Sequence, residues 1–299
     1  MATMRDIKGR IRSVTTTKKT TKAMNLVSSA KMARARGRLH AANPYFTLTR
    51  KAISDILNSG PAGLASLTDN PIFEDETKVA KKSLIVIISN DRGLCGGYNA
   101  NISKMAAALA LELSNEGKEV SFFTIGNKGR EYFKRAGAVI IDGYTGISEG
   151  PSLEDSKEIT QKLINLYLSG EFDEVYIAYT QFVSAISYNP KTLRLLPLNP
   201  SDFVESEGDD KAQGHTIKFE PSPKEVLSYI IPKYLGTAVY ETLITSAASG
   251  QGATMTAMDS ATENAEKIIG NLTLVLNRVR QAAITQEIAE IVGGANALK

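Results

Sequence analysis

The segment Met258–Ala282, MDSATENAEKIIGNLTLVLNRVRQA, decides the fold. Within it Met258, Ala261, Ala265, Ile268, Leu272, Val275, Val279 and Ala282 recur at alternating steps of three and four residues. This is a heptad seam, and it predicts a helix that lies along a partner helix. Upstream, Ser222-Pro223 followed by Glu225 forms a start signal, with serine as cap, proline at the first helical position and glutamate reaching back. Pro232 is expected to kink or restart the helix, which then continues to about Val292.

The opposite end carries the matching half. From Met4 to about Asn58 good helix formers dominate and Pro44 is the only proline. Met4, Ile7, Ile11 and Val14 start a heptad register that resumes at Met32, Ala35, Leu39, Ala42, Phe46, Ile53 and Ile56. Between the two runs the seam turns polar, at Lys18, Thr21, Asn25 and Ser28, which reads as a place where something other than a plain apolar partner is met. Pro44 should bend the helix locally. Two seams at opposite ends of one chain predict an antiparallel, left-handed coiled coil. Segments of some 55 residues would each be roughly 80 Å long, more than a globular core needs.

The middle alternates strand and helix signals. Ser83–Ser89, Ser-Leu-Ile-Val-Ile-Ile-Ser, has the apolar continuity of a strand buried on both faces. Met105, Leu109 and Leu113 mark a helix, followed by a strand at Val120–Ile125, a short helix near Tyr132 and Phe133, and a strand at Ala138–Ile141. Ser152 caps a helix with Ile159, Leu163 and Leu166 inward, and strands follow at Glu174–Thr180 and Thr192–Pro197. Such alternation predicts a Rossmann-like α/β domain with a mostly parallel sheet. The expected organisation is an N-terminal coiled-coil helix over residues 1–58, a central α/β domain over 72–200 and a C-terminal coiled-coil helix over 222–299. The junctions are Ser59–Pro71 and residues 200–221.

Composition narrows the chemistry. The chain has 299 residues, 42% of them hydrophobic, and a formal charge of only +3, but residues 1–40 hold eleven Lys or Arg against Asp6 alone. That end seeks something negative. An acidic run, Glu205, Glu207, Asp209 and Asp210 beside Gly208 and Gly214, reads as a solvated loop. No apolar run approaches the roughly 18 residues of a membrane span, so a soluble intracellular protein is expected. Cys95 is the single cysteine, which rules out an intrachain disulfide and a cysteine-based zinc site, and the two histidines, His40 and His215, add little. No metal and no cofactor is expected.

Ser89–Asn99, with Asp91, Arg92, Gly93, Cys95, Gly96, Gly97 and Asn99, follows the first strand and precedes a helix, where α/β folds often bind phosphate. Its Gly-x-x-Gly-Gly pattern is not a dinucleotide fingerprint, and Gly-x4-Gly-Lys-Ser/Thr occurs nowhere, so a tight structural turn is the favoured reading. Cys95 lacks an obvious base and reads as a buried small hydrophobe rather than a nucleophile. Asp155 with Glu158 and Glu287 with Glu290 are carboxylate pairs that solvated helix faces explain as well as acid–base chemistry does. The basic N-terminal helix fits either nucleic-acid phosphates or acidic loops of a protein partner, and no aromatic residue among the first 40 supports base stacking.

Three blocks together resemble the gamma subunit of F-type ATP synthases, over essentially the whole chain. They are Ile7, Arg10-Ile11-Arg12-Ser13-Val14, Lys22-Ala23-Met24, Val27 and Ala30-Lys31-Met32; then Asp91–Asn99; then Met255-Thr256-Ala257-Met258, Asn264-Ala265 and Asn277–Ile288. The resemblance implies a non-catalytic rotor, one copy per complex, whose coiled coil turns inside the alpha and beta ring and whose α/β domain meets the epsilon subunit and the membrane c-ring. It implies a peripheral place on the cytoplasmic face of a bacterial cell membrane. By the family's pattern Arg280, Gln281, Thr285 and Glu287 contact the beta subunits, as do Met24, Lys19 and Lys22, and Glu220 matches a foot position. The chain departs from the family where Gly250 and Thr254 replace a glutamate and an arginine, and where Thr20 replaces a common isoleucine. A coiled-coil nucleic-acid-binding protein is the alternative.

Overall fold

The computed structural model describes residues 3–58, 70–74, 79–203 and 219–297. The acidic run at 205–210, Gly214, His215 and most of the Ser59–Pro71 junction lie outside these residues. In chain order the elements are α1 (Met4–Leu57), β1 (Lys82–Ile88), α2 (Tyr98–Asn115), β2 (Glu119–Ile125), α3 (Asn127–Arg135), β3 (Ile140–Tyr144), α4 (Leu153–Leu168), β4 (Glu174–Phe182), β5 (Tyr188–Leu196) and α5 (Pro223–Ala297). Contacts divide the chain into two compact units, one made of Met1–Ser29 with Thr254–Lys299 and the other of Ala30–Ala253. Each long helix therefore contributes to both.

In the first unit α1 and α5 run antiparallel, because their paired residues count in opposite directions. Lys18 pairs with Glu266, the Thr21 hydroxyl meets that of Thr262, and the Asn25 amide donates to the Met255 carbonyl. The α1 register is the one its spacing predicts: Ile7 and Ser28 are buried, and Ile11, Val14 and Lys18 are half-buried. At the polar interruption the partner met is α5, through polar groups. Thr21, only 8% exposed, and Asn25 face α5 and bond to it, so these two positions belong to the internal seam.

The α5 register differs by one residue at alternate positions. Met258 and Ala265 are buried and Leu272 and Val279 half-buried, but Ile269, Leu276 and Ala283 turn inward where Ile268, Val275 and Ala282 were expected. Ile268 and Val275 are 48% and 43% exposed. Both long helices run through their prolines, and Pro44 and Pro232 lie exposed, as do His40 and Ser228, whose carbonyls the prolines leave without a helical donor.

The second unit holds a five-stranded sheet in the order β3-β2-β1-β4-β5, parallel except for the last pair. The central β1 is buried on both faces and sorts its side chains by parity. Leu84, Val86 and Ile88 join a core with Ile53 and Ile56 of α1, Ile159 and Leu163 of α4, and Leu227, Ile231 and Leu235 of α5. Ile85 and Ile87 join a second core with Ile102 and Ala106 of α2 and Phe133 of α3. Helix α4 starts as its sequence dictates, with a capping box between Ser152 and Asp155.

Two strands differ from expectation. The strand expected at Ala138–Ile141 is β3 at Ile140–Tyr144, carried through Asp142-Gly143 by pairing with β2. The last strand begins earlier, at Tyr188, because Pro190 is tolerated on an edge.

Candidate functional site

In an open α/β sheet, ligands bind beyond the carboxyl ends of the strands where the strand order reverses. Here that point lies after β1 and β4, at the turn Ser89–Asn99. Asp91 ties the turn to two other loops: its carboxylate accepts from the Asn127 amide at 3.1 Å, the Gly146 amide at 2.9 Å and the Ser148 hydroxyl at 2.6 Å. Asn99 closes it from the other side, accepting from the Asn90 amide at 2.9 Å and donating to the Arg92 carbonyl at 3.2 Å. Left-handed backbone falls at Leu94 (φ 63°) and Gly96 (φ 56°), while Gly93 and Gly97 do not adopt it. Arg92 reaches outward, 87% exposed and 3.8 Å from Glu149.

The crevice itself is filled by the chain. Tyr98, from the first turn of α2, is buried and donates to the Ser246 carbonyl of α5 at 3.0 Å. Ala253 of α5 packs with Cys95, Tyr98 and Tyr188. A phosphate at Gly93–Gly97 would have to share this space with α5. Burial, ahead of every other influence, raises the pKa of the Tyr98 hydroxyl and of the Cys95 thiol. Cys95 is 1% exposed and its protonated form is favoured, the opposite of what a nucleophile needs.

Three of the four carboxylates in these pairs have local partners. Asp155 serves the α4 cap, Glu158 accepts from the Tyr144 hydroxyl at 2.7 Å, and Glu290 accepts from Gln286 at 3.0 Å. Among the described residues no group of three or more His, Cys, Asp and Glu side chains gathers to hold a metal ion.

What remains is surface. On α1, Lys19 and Lys22 are exposed and Met24 is half-buried; on α5, Arg280, Gln281, Thr285 and Glu287 are exposed. The Thr285 hydroxyl is turned back onto the Gln281 carbonyl at 3.0 Å. Glu220 is exposed and precedes Pro221 through a cis peptide bond.

Sequence reasoning missed the apolar residues between these positions. Leu26 and Val27 are 64% and 55% exposed, and Ile284, Ile288, Ile291 and Val292 form an exposed stripe near the end of α5. Their spacing of four, three and one places them on one side of the helix. They lie outside the heptad seam, whose 3-4 steps past Ala282 fall on Gln286, Ala289 and Gly293, so a search for the seam alone passes over them.

One unit pairs two helices and leaves apolar residues exposed, and in the other the crevice at the end of the sheet is filled by the chain's own side chains. A family model described as ATP synthase matches residues 3–298. The ATP synthase gamma chain of Alkaliphilus metalliredigens is 45% identical over 99% of both chains, and the sodium ion specific gamma chain of Acetobacterium woodii is 42% identical over 99% of this chain and 98% of its own.

Among solved structures, the rotor of the Euglena gracilis mitochondrial ATP synthase superimposes with a TM-score of 0.61 at 14% identity, covering 94% of this chain and 98% of that one. The central stalk and c-ring structure from Tetrahymena thermophila gives 0.56 at 24%, covering 81% and 98%. At these identities the superpositions speak to the fold. The chain belongs to the ATP synthase gamma chain family. No support for a nucleic-acid-binding protein comes from these relatives.

Proposed function

We propose that the chain is a non-catalytic torque carrier, one copy per complex. Its paired helices turn against the alpha and beta ring, and its α/β domain is held by the epsilon subunit and the membrane c-ring. The observation that carries this reading is the exposed stripe of Ile284, Ile288, Ile291 and Val292. Apolar side chains at this density are unfavourable in water and mark a surface that a partner covers. The flanking Arg280, Gln281, Thr285 and Glu287, and Lys19, Lys22 and Met24 on α1, are the contacts assigned to the beta subunits. Glu220 is assigned to the foot.

Filling of the sheet crevice by α5 favours a chain without catalysis of its own, so ATP chemistry belongs to the ring. No helix among the described residues is long and apolar enough to cross a membrane. This fits a subunit held at the cytoplasmic face of a bacterial cell membrane by its partners.

The test is co-purification with alpha and beta subunits. The isolated chain should hydrolyse no ATP and should enter a complex as one copy; failure to assemble overturns the reading. Within that complex, Arg280→Ala combined with Gln281→Ala is expected to lower assembly or rotary coupling while the α/β domain stays folded. Unchanged activity would remove those two residues from the contact.

A further inference from the structure

Residues 245–252 of α5 meet the α/β domain in a different manner from the rest of that helix. Upstream, Leu227, Ile231, Leu235, Val239 and Leu243 pack into the apolar core. Such contacts hold a helix down but are non-directional, so they resist rolling about the helix axis weakly. One directional contact lies among them, from the Ser156 hydroxyl of α4 to the Gly236 carbonyl at 2.7 Å, and from Thr245 onward such contacts cluster.

Strand β4 is paired with β1 only as far as Ala178, which leaves its backbone groups further on without a strand on that side. Helix α5 supplies the partners. The Thr180 amide donates to the Ser246 hydroxyl at 3.2 Å, the Phe182 amide donates to the Thr245 hydroxyl at 3.0 Å, and the Ser249 hydroxyl shares its hydrogen between the Thr180 carbonyl at 3.1 Å and the Thr245 carbonyl of its own helix at 2.8 Å. Tyr98 adds a bond from α2 to the Ser246 carbonyl. Hydroxyl side chains on a helix thus take the place of a missing strand.

Two glycines complete the arrangement. A Cβ on Gly250 would lie 2.5 Å from Oδ1 of Asn90, and one on Gly252 would lie 3.1 Å from the Ala185 carbonyl oxygen. Residues two apart on an α-helix point about 200° apart around its axis. The turn after β1 and the β4–β5 hairpin therefore grip α5 from nearly opposite sides. A roll in either direction drives side chains into one of them. The glycines, unfavourable for a helix in isolation, are what permit this approach.

We propose that residues 245–252 of α5, through the hydroxyls of Thr245, Ser246 and Ser249 and the glycine seats at 250 and 252, form the torque joint. This is the place where rotation is handed between the α/β domain and the long helix. The inference rests on the rotor reading and adds where within the chain the load is carried.

The test uses the chain assembled with alpha and beta subunits, the ring fixed to a surface, and a bead attached through Leu111→Cys on exposed α2. Angular fluctuation of the bead with the complex stalled reports torsional stiffness. The triple variant Thr245→Val, Ser246→Ala, Ser249→Ala is expected to widen the angular variance by roughly twofold or more, since three directional bonds are lost. Unloaded ATP hydrolysis should be unchanged.

Should the triple variant fail to assemble, Gly250→Ala decides. It should widen the variance alone, and adding Asn90→Ala should restore it by removing the obstructing amide. Unchanged variance in the assembled variants overturns the joint while the rotor reading stands. A wild-type chain that assembles but never turns overturns both.

Discussion

The hydroxyls of Thr21 and Thr262 meet at 2.7 Å between α1 and α5, although 241 residues separate them in sequence. Each hydroxyl also lies within reach of a carbonyl of its own helix, Lys18 for Thr21 and Met258 for Thr262, so one hydroxyl donates across the seam while the other donates to its own helix. A polar seam of this kind favours one register over others, since sliding the helices would bury the hydroxyls without each other.

Replacing one member with valine keeps its volume and removes the bond between the helices, at a cost of roughly 1 kcal/mol. Replacing both restores an apolar contact, so the double variant should be less destabilised than the sum of the two single variants. Denaturant unfolding of the purified chain provides the comparison. Strict additivity would mean that the two hydroxyls act independently.

Asp91 is the fastener of the turn that follows β1, with three donors from two other loops on one carboxylate. Asp91→Ala leaves all three without that acceptor and is expected to cost about 3 kcal/mol, whereas Asp91→Asn keeps one carbonyl oxygen and should cost less. Chemical unfolding of the chain measures both. Equal and small losses would show that water replaces the carboxylate freely.

The Arg194 guanidinium grips Glu74 with two bonds, at 2.8 and 2.7 Å, on a half-buried part of the domain. Those bonds, opposed by burial, hold the Glu74 carboxyl below the ordinary value of 4.5. A depressed carboxyl stabilises the fold above its unfolded value, and that contribution is lost as pH falls through the lower folded value. Partial exposure screens the pair, so it contributes roughly 1 kcal/mol. Glu74→Gln should lower unfolding stability at neutral pH and converge on wild type in acid. A gap that persists at low pH would contradict this origin.

Much of the architecture was legible because apolar spacing is a direct record of burial. The α1 seam and the doubly buried β1 are read correctly for that reason. The α5 register was ambiguous where apolar residues flank both choices: Ile268 stands beside Ile269, Leu274 and Leu276 bracket Val275, and Ala282 stands beside Ala283. Periodicity alone cannot choose between neighbours of equal hydrophobicity, and the approach of α1 does.

In the sequence Gly250 stands out only as the place of a missing glutamate, and nothing local explains it or Gly252. Their reason lies in Asn90 and Ala185, far away in sequence, which no local pattern announces. The same is true of the buried Tyr98–Ser246 bond.

The central claim is that this chain rotates while the alpha and beta ring hydrolyses ATP. Single-molecule rotation tests it most directly, with the alpha and beta ring fixed and a bead on the α/β domain through Leu111→Cys. Continuous rotation in one direction during hydrolysis, from complexes holding one copy of the chain, is the predicted result; steady hydrolysis with a bead that does not turn would contradict it.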